Sequence, residues 1–492
     1  MLAWLTVLLG AAPEAGASLA FREARFSHSP QAQRIFKRLQ GLEDLLSEQA
    51  ERLTLQQVIE RGLRANPQLA AAYAQVQGEQ WSLVAAKRRW SPSLDASSPW
   101  PGLLGQSNDT VVTSRRLPSS LTNQAVATRT LAAPTLNLTW TFLNLSRDAQ
   151  IHAAANGLQA QQWLFDVSAR NLLLELQRDY TALQERLDLI DEYRALFLLS
   201  SNQVDDAVAK LARRQLDQGS VEQLRAFQRN QLTRLINQTR DLLLASARLA
   251  EKLALPGPSL VLPEESLKPL GSWPLDLGTT LEQAVKLREE IKALAAEARR
   301  SHWSSQELLR TYWPRLSLQV EGNYTNTSMT AGSPGSPNPN QSESNAWSSS
   351  VGLDLHWQLF DGGIQGAEAS NRSADQARLL QEANLETLAV QRQVKEAFFN
   401  YTTSKLGIDN TKEALNEASQ SVRTVVVKFG QNQATITTMI QVFNQYLDAM
   451  RAHSATIQLY NDSVFELYRA SAQWPEGTLP LLQERVNGLT KQ

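Results

Sequence analysis

No proline occurs between Asp148 and Leu255 or between Gly366 and Trp474, and each stretch carries apolar or small residues that step by four and three. One seam runs from Leu176, Tyr180 and Leu183 to Val208 and Leu211, the other from Val390, Val394 and Ala397 to Val425 and Phe429. Heptads of this length predict helices that pack lengthwise on other helices. At 1.5 Å per residue, a helix from Asp148 to about Arg213 would be on the order of 100 Å long, longer than any compact domain. Each stretch breaks once, at Gln218-Gly219-Ser220 and at Gly430-Gln431-Asn432, and returns as a second helix, giving two antiparallel hairpins per chain. Leu173, Leu189 and Leu196 beside the first seam add a second contact line, which a two-stranded coil does not need and a curved array of helices does.

The second constraint is a duplication. Trp81 matches Trp303, Arg89-Trp90-Ser91-Pro92 matches Tyr312-Trp313-Pro314, the segment 136–144 matches 353–361, and Gly219 falls opposite Asn432. This divides the chain into a first repeat, 53–255, a Pro- and Gly-rich linker, 256–279, and a second repeat, 280–475, with a tail at 476–492. Before Leu53 lie a charged extension, 18–52, and an N-terminal segment, 1–17. There the apolar run Leu2–Ala12 followed by Ala15-Gly16-Ala17 reads as an export signal, although Met1–Leu9 holds no Lys or Arg.

Within each repeat two segments alternate with a period of two, at about 92–100 and 133–145 and at about 314–324 and 348–361. Leu136, Leu138, Trp140 and Phe142 point one way and Asn137, Thr139 and Thr141 the other; Leu316, Leu318 and Val320 oppose Ser317 and Gln319; Val351, Leu353, Leu355 and Trp357 oppose Gly352, Asp354 and His356. A globular sandwich satisfies such a pattern, and so does a membrane barrel with lipid outside and water inside. Four strands of bilayer-spanning length cannot close, because an open edge in lipid leaves backbone groups unpaired at several kcal/mol each. Three chains would supply twelve. Polar loops are expected at 101–132 and 325–346, and Trp90, Trp100, Trp313 and Trp347 fall at strand ends, where an aromatic girdle would lie.

Composition narrows the function classes. The chain has 492 residues, and 48 Lys and Arg against 49 Asp and Glu leave a net charge of −1, which argues against a nucleic-acid partner. Zero cysteines exclude disulfides, thiolate metal sites, a thiol nucleophile and an acylated N-terminal Cys. The five histidines have no metal-ligand spacing, and no HExxH, GxSxG or P-loop pattern occurs; Gly362-Gly363 reads as a strand-to-helix corner needing positive φ. No catalytic residue, cofactor or metal is expected, and the protein is not read as an enzyme. No apolar run reaches 18 residues, which excludes a membrane helix.

Several ordered motifs carry a family resemblance: Leu-Thr-Leu-Gln-Gln-Val-Ile (53–59), Ala65-Asn66-Pro67-Gln68-Leu69, Trp-Ser-Pro-Ser-Leu (90–94), Leu-His-Trp-Gln-Leu-Phe-Asp-Gly-Gly (355–363) and Lys428-Phe429 before Ala434-Thr435. Together they make the chain resemble the TolC-like outer membrane efflux proteins. The resemblance implies a mainly α fold of long antiparallel helical hairpins, an α-barrel, plus a four-strand contribution to a trimeric twelve-stranded transmembrane β-barrel. It further implies a homotrimer in the bacterial outer membrane that extends into the periplasm. Such a trimer meets outer-membrane lipid, a periplasmic membrane-fusion adaptor and an inner-membrane transporter of RND, ABC or MFS type, and serves as exit duct for efflux or type I secretion. The hairpin tips would then form the periplasmic entrance, through Gly219, Glu222 and Arg225 on the first and Asn432, Thr438 and Gln441 on the second. Aligned on Ala434-Thr435, the two aspartates that ring the family's pore fall on Thr438 and Gln441, so a neutral ring with weaker cation preference is expected. An exported structural or adhesive coiled-coil protein is the alternative, and it leaves the duplicated strands unexplained.

Overall fold

The computed structural model describes residues 50–98, 105–115, 121–332 and 340–489. The expected export signal, nearly all of the extension 18–52 and Trp100 lie outside them. In chain order the elements are β1 (Ala50–Leu53), α1 (Leu55–Ala65), α2 (Pro67–Arg88), β2 (Ser93–Ser97), β3 (Gly105–Arg115), β4 (Leu121–Ala132), β5 (Thr135–Leu143), α3 (Leu145–Ala212) and α4 (Gln218–Lys252). There follow β6 (Leu260–Pro263), α5 (Leu277–Leu287), α6 (Glu289–Leu309), β7 (Arg315–Gly332), β8 (Asn340–His356), α7 (Ile364–Gly430), α8 (Ile436–Ala470) and α9 (Thr478–Leu489). The fold is mainly helical with a small sheet part. Two compact units divide the chain, residues 1–74, 163–291 and 384–492 in one and residues 75–162 and 292–383 in the other.

The first unit holds the hairpins. Leu176, Tyr180, Leu183, Ile190, Phe197 and Val204 of the α3 seam are buried, as are Val390, Val394, Ala397, Tyr401, Leu415, Val422, Val425 and Phe429 of the α7 seam. Leu173, Leu189 and Leu196 are buried too. The helix starts explain two of the motifs. Thr54 caps α1 in a capping box with Gln57, each side chain accepting from the other's backbone N–H (3.3 and 3.0 Å). Asn66 ends α1 and caps α2 through Gln68 N–H (2.8 Å), with Pro67 at the first helical position, where no N–H is needed. Gly62 lies so close to the Leu176 side chain that a Cβ there would overlap it.

The segment expected as a linker is instead a fixed belt. Its β6 pairs in parallel with β1, from Ala50 opposite Leu260 to Leu53 opposite Pro263. The residues after β6 are held to three helices by side chains that satisfy the belt's backbone. Gln184 Nε2 donates to Glu265 O (3.1 Å), and Asp188 Oδ2 accepts from Leu267 N–H (3.2 Å). Asn461, fully buried, accepts from Leu270 N–H (2.7 Å) and donates to Lys268 O (2.8 Å). Tyr460 OH donates to Gly271 O (2.6 Å), and Tyr401 OH accepts from Trp273 N–H (3.2 Å). A buried backbone group left unpaired costs about as much as a lost hydrogen bond, so these contacts fix the path of a segment with no ladder of its own. The tail holds a helix, α9, in which Leu482 is buried and Glu484 pairs with Arg64 of α1 (2.9 Å).

Buried ions anchor the helix ends of the same unit. Arg288, at 1% exposure, donates to Glu290 Oε2 (2.8 Å), Gln393 Oε1 (2.8 Å) and the Arg469 and Ala470 carbonyls (both 3.1 Å). Arg170 pairs with Glu289 (2.9 Å) and lies over the Trp474 ring (4.1 Å). Removing one partner of such a pair strands the other in low dielectric.

Asp188 gives the belt a pH dependence. Burial pushes its carboxyl up to about 7; the Leu267 N–H opposes the rise, and Asp191 and Glu192 add to it. Asp462 on α8 is pushed up to about 6, again chiefly by burial and against Arg178. An unfolded aspartate titrates near about 4. Between about pH 4 and 7 the folded chain therefore holds protons that the unfolded chain has released, and stability falls as pH rises, with the loss complete above 7. Urea unfolding midpoints measured from pH 4 to 8 should decline in the wild type and decline less in Asp188→Asn, which stays neutral and keeps an oxygen for Leu267. An identical slope in the variant would remove Asp188 as a source.

Candidate functional site

The sheet of the second unit has six strands in place of the four expected, in the order β2-β5-β7-β4-β3 with β8 on β7. The additional pair occupies most of the expected loop at 101–132. It does not add new rows. Along one edge of β7, β5 pairs from Leu143 opposite Leu316 to Thr135 opposite Asn323, and β4 continues from Ala132 opposite Asn326 to Val126 opposite Gly332. Ala133-Pro134 interrupts this strand where Pro134 has no N–H to give, and Tyr324 N–H donates to Pro134 O (3.1 Å) across the gap. On the far side β2 pairs β5 and β3 pairs β4. The sheet therefore has four strand paths, and β7 and β8 run on to Gly332 and from Asn340 through residues expected as loop.

Register sorts the side chains onto two faces. Leu94 lies opposite Leu138, Leu138 opposite Val320 and Val320 opposite Val351; Trp140 opposite Leu318 and Leu318 opposite Leu353; Leu316 lies opposite Leu355. The other face sets Asp95 opposite Asn137, Asn137 opposite Glu321, Thr139 opposite Gln319, and Ser317 opposite Thr141 and Asp354. A one-residue slip would exchange the faces. The apolar face is open in the single chain: Val351 is 72% exposed, Leu353 67% and Leu355 61%. A bulge at Thr141–Leu143 puts Leu143 opposite Leu316, and Phe142 packs its ring near Trp140 (5.8 Å).

Aromatic residues bound this band. At one end the Trp140 indole donates to Trp90 O (3.0 Å) and the Trp357 indole to Tyr312 O (2.9 Å), tying two strand ends to the corners before β2 and β7. At the other end Tyr324 and Trp347 lie opposite each other, rings 4.6 Å apart, and Trp347 is 83% exposed. Between them run about nine residues, roughly 30 Å of strand. Past Trp347, toward residue 340, most residues are Ser, Thr, Asn and Gln, with Glu343 and Met329 among them, and Asn326 Nδ2 donates to Asn345 Oδ1 (2.5 Å). At the corner into α7, Gly362 and Gly363 adopt φ of 75° and 85°, and Asp361 accepts from Gly363 and Gln365 N–H (both 2.9 Å).

The hairpin tips, in the first unit, share one construction. At each, a residue in the left-handed region ends the helix: Arg214 (φ 56°) after α3 and Asn432 (φ 62°) after α7. Gln215 N–H donates to Lys210 O (2.9 Å) and Arg214 N–H to Leu211 O (2.9 Å); Gln433 N–H donates to Lys428 O (2.7 Å) and Asn432 N–H to Phe429 O (3.2 Å). Three residues on, Asp217 caps α4 through Ser220 N–H (2.9 Å), and Thr435 caps α8 through Thr438 N–H (3.2 Å). Gly219 is therefore not the turn residue. It lies in the first turn of α4, and the counterpart of Asn432 is Arg214.

Of the other expected entrance residues, Glu222 accepts from Gln218 Nε2 (2.9 Å), Arg225 is exposed one turn further, and Thr438 shares a hydroxyl contact with Thr435 (2.9 Å). Gln441 is exposed on the side of α8 that carries Thr438. Phe227 of α4 and Phe443 of α8 join the hairpins, ring centroids 5.8 Å apart. Lys210 donates to the Phe429 carbonyl and lies 4.2 Å over its ring, placing a cation at the C-terminus of α7.

No family model and no curated protein matches the sequence. Solved structures do match. The Campylobacter jejuni CmeC outer membrane channel superposes with a TM-score of 0.68 at 12% identity, covering 88% of this chain and 89% of that one. The outer membrane protein VceC of Vibrio cholerae gives 0.65 at 17%, over 85% and 96%, and CusC gives 0.66 at 12%, over 87% and 94%. The fold is that of the TolC-like outer-membrane efflux proteins. Those neighbours are channel proteins. Among the described residues no helix is long and apolar enough to cross a membrane.

Arg214 tests the tip assignment. A side chain in the left-handed region is disfavoured by roughly 1 kcal/mol relative to glycine. Arg214→Gly should raise the unfolding free energy by about 1 kcal/mol, seen by circular dichroism as an upward shift of the urea midpoint. A midpoint that falls by a similar amount would put the turn elsewhere.

Proposed function

We propose that this protein is the outer-membrane exit duct of a tripartite efflux pump, a passive trimeric conduit that performs no chemistry. The observation that carries the reading is the register of the sheet, which places every large aliphatic side chain of its lower half on one open face and polar side chains on the other. Lipid outside and water inside use such a sheet as it stands. At a tilt of about 40° the band between its aromatic borders spans a little over 20 Å, near the height of the apolar belt of outer-membrane barrels. The outer edges, β2 with β3 and β8, have no partner strand within the described residues of the chain, and in lipid they need one. Copies of the same chain supply it, and three copies of four strand paths make twelve.

The recurring order of helix, strand pair and helical hairpin in each half supports an internal duplication, and the matched indole-to-carbonyl bonds of Trp140 and Trp357 recur with it. On this reading the lipid-facing residues are the apolar strand residues of both halves. The hairpin tips form the periplasmic entrance, where an adaptor and an inner-membrane transporter of RND, ABC or MFS type engage. Similarity to solved outer-membrane channels supports the conduit role, for efflux or for type I secretion. An exported coiled-coil protein without a pore would leave the two-faced sheet without a use.

Cell fractionation followed by planar-bilayer recording tests the reading. The purified protein should come from the outer-membrane fraction as a trimer and give discrete conductance steps, and Thr438→Asp with Gln441→Asp should increase cation preference. Recovery as a soluble monomer, or a trimer that never conducts, contradicts it.

A further inference from the structure

The chain is nearly neutral, yet its hairpin tips are not. Between Lys210 and Arg234 the first hairpin carries six bases, Lys210, Arg213, Arg214, Arg225, Arg229 and Arg234, against Asp217 and Glu222; Arg240 further on is paired with Asp241 (2.8 Å). Between Glu417 and Asp448 the second hairpin carries Arg423 and Lys428 and no acid. The two acids of the first tip are already engaged. Asp217 is the cap of α4, and the Glu222 carboxylate accepts from Gln218 (2.9 Å), although Arg225 stands one turn away. Among the described residues neither Arg225 nor Arg229 has a carboxylate within ion-pair distance, and both are exposed.

Two local features of this tip run against stability. Arg225 and Arg229 are like charges four residues apart on one helix face, an arrangement that disfavours the helix. Arg214 holds the left-handed position where glycine or asparagine fits with less strain. Violations of local rules concentrate where a sequence serves function.

We propose that the entrance of the duct is anion-selective, so that solutes of net negative charge are concentrated at the mouth and admitted ahead of cations. This rests on the conduit reading, in which the tips ring a pore. Charge rings set permeability by sign, and a cleft lined by one sign focuses the field on solutes that enter it. The neutral Thr438 and Gln441 removes the opposing negative ring, and Arg213, Arg214, Arg225 and Arg229 in each of three copies supply the positive one.

The test is the reversal potential of single channels in a KCl gradient across a planar bilayer. The wild type should favour chloride over potassium. Arg225→Gln with Arg229→Gln should lower the chloride-to-potassium permeability ratio by at least about twofold, as expected when part of a charge ring is lost. Arg248→Gln, an exposed α4 arginine outside the tip segment, should leave it unchanged. Channels that conduct but favour potassium overturn anion selectivity, and a ratio that the double variant leaves unchanged overturns the assignment of the charge ring to these arginines; both leave the conduit standing. The absence of any conductance overturns selectivity and conduit alike.

Discussion

Backbone N–H and C=O groups that cannot reach water must find each other, and the sheet of this chain meets that demand everywhere except at its two edges. Its interior ladders are long and continuous, bridged even at Ala133-Pro134 by the Tyr324 N–H. Its faces are sorted by register into aliphatic and polar. A soluble protein would have to bury the aliphatic face; a lone chain in lipid would have to pair the edges. Assembly of copies into a closed wall answers both demands at once, which is why the strand pattern bears on function more than any single residue does.

The hairpin unit depends on the same accounting of polar groups by other means. The belt after β6 has no ladder, so Gln184, Asp188, Asn461, Tyr460 and Tyr401 supply its hydrogen bonds from three helices. Arg288 closes the carbonyls at the end of α8. The tips finish α3 and α7 with left-handed residues and start α4 and α8 with side-chain caps, so each reversal needs only a few residues and leaves the surrounding side chains free to carry charge.

Much of this was legible in the sequence because its causes are local. Heptad steps placed the buried seams of α3 and α7, and period-two alternation placed the strands at Leu136–Trp140, Leu316–Val320 and Val351–Leu355. What was missed has causes that are not local. The strand extensions beyond Trp347 and before Ala132 mix polar residues with scattered apolar ones such as Val111, Val126 and Met329, so no alternation betrays them. The belt reads as a linker because its partners lie about 80 to 200 residues away in sequence. Gly219 drew attention as the turn because glycine is the usual left-handed residue. Arg214 holds that place instead, and the spacing Asp217 to Ser220, a cap followed by the residue whose N–H it accepts, is the signal that locates the helix start.

Because the chain contains no cysteine, single cysteines can be introduced along β8 and spin-labelled without background. Labels at positions 349 to 355 in reconstituted protein would be read for collision with oxygen, which partitions into lipid, and with a water-soluble nickel chelate. The account predicts a period of two, with oxygen accessibility highest at Val351, Leu353 and Leu355 and nickel accessibility highest at Ser350, Gly352 and Asp354. Equal access of the nickel chelate to both sets would contradict it, because the apolar face would then meet water.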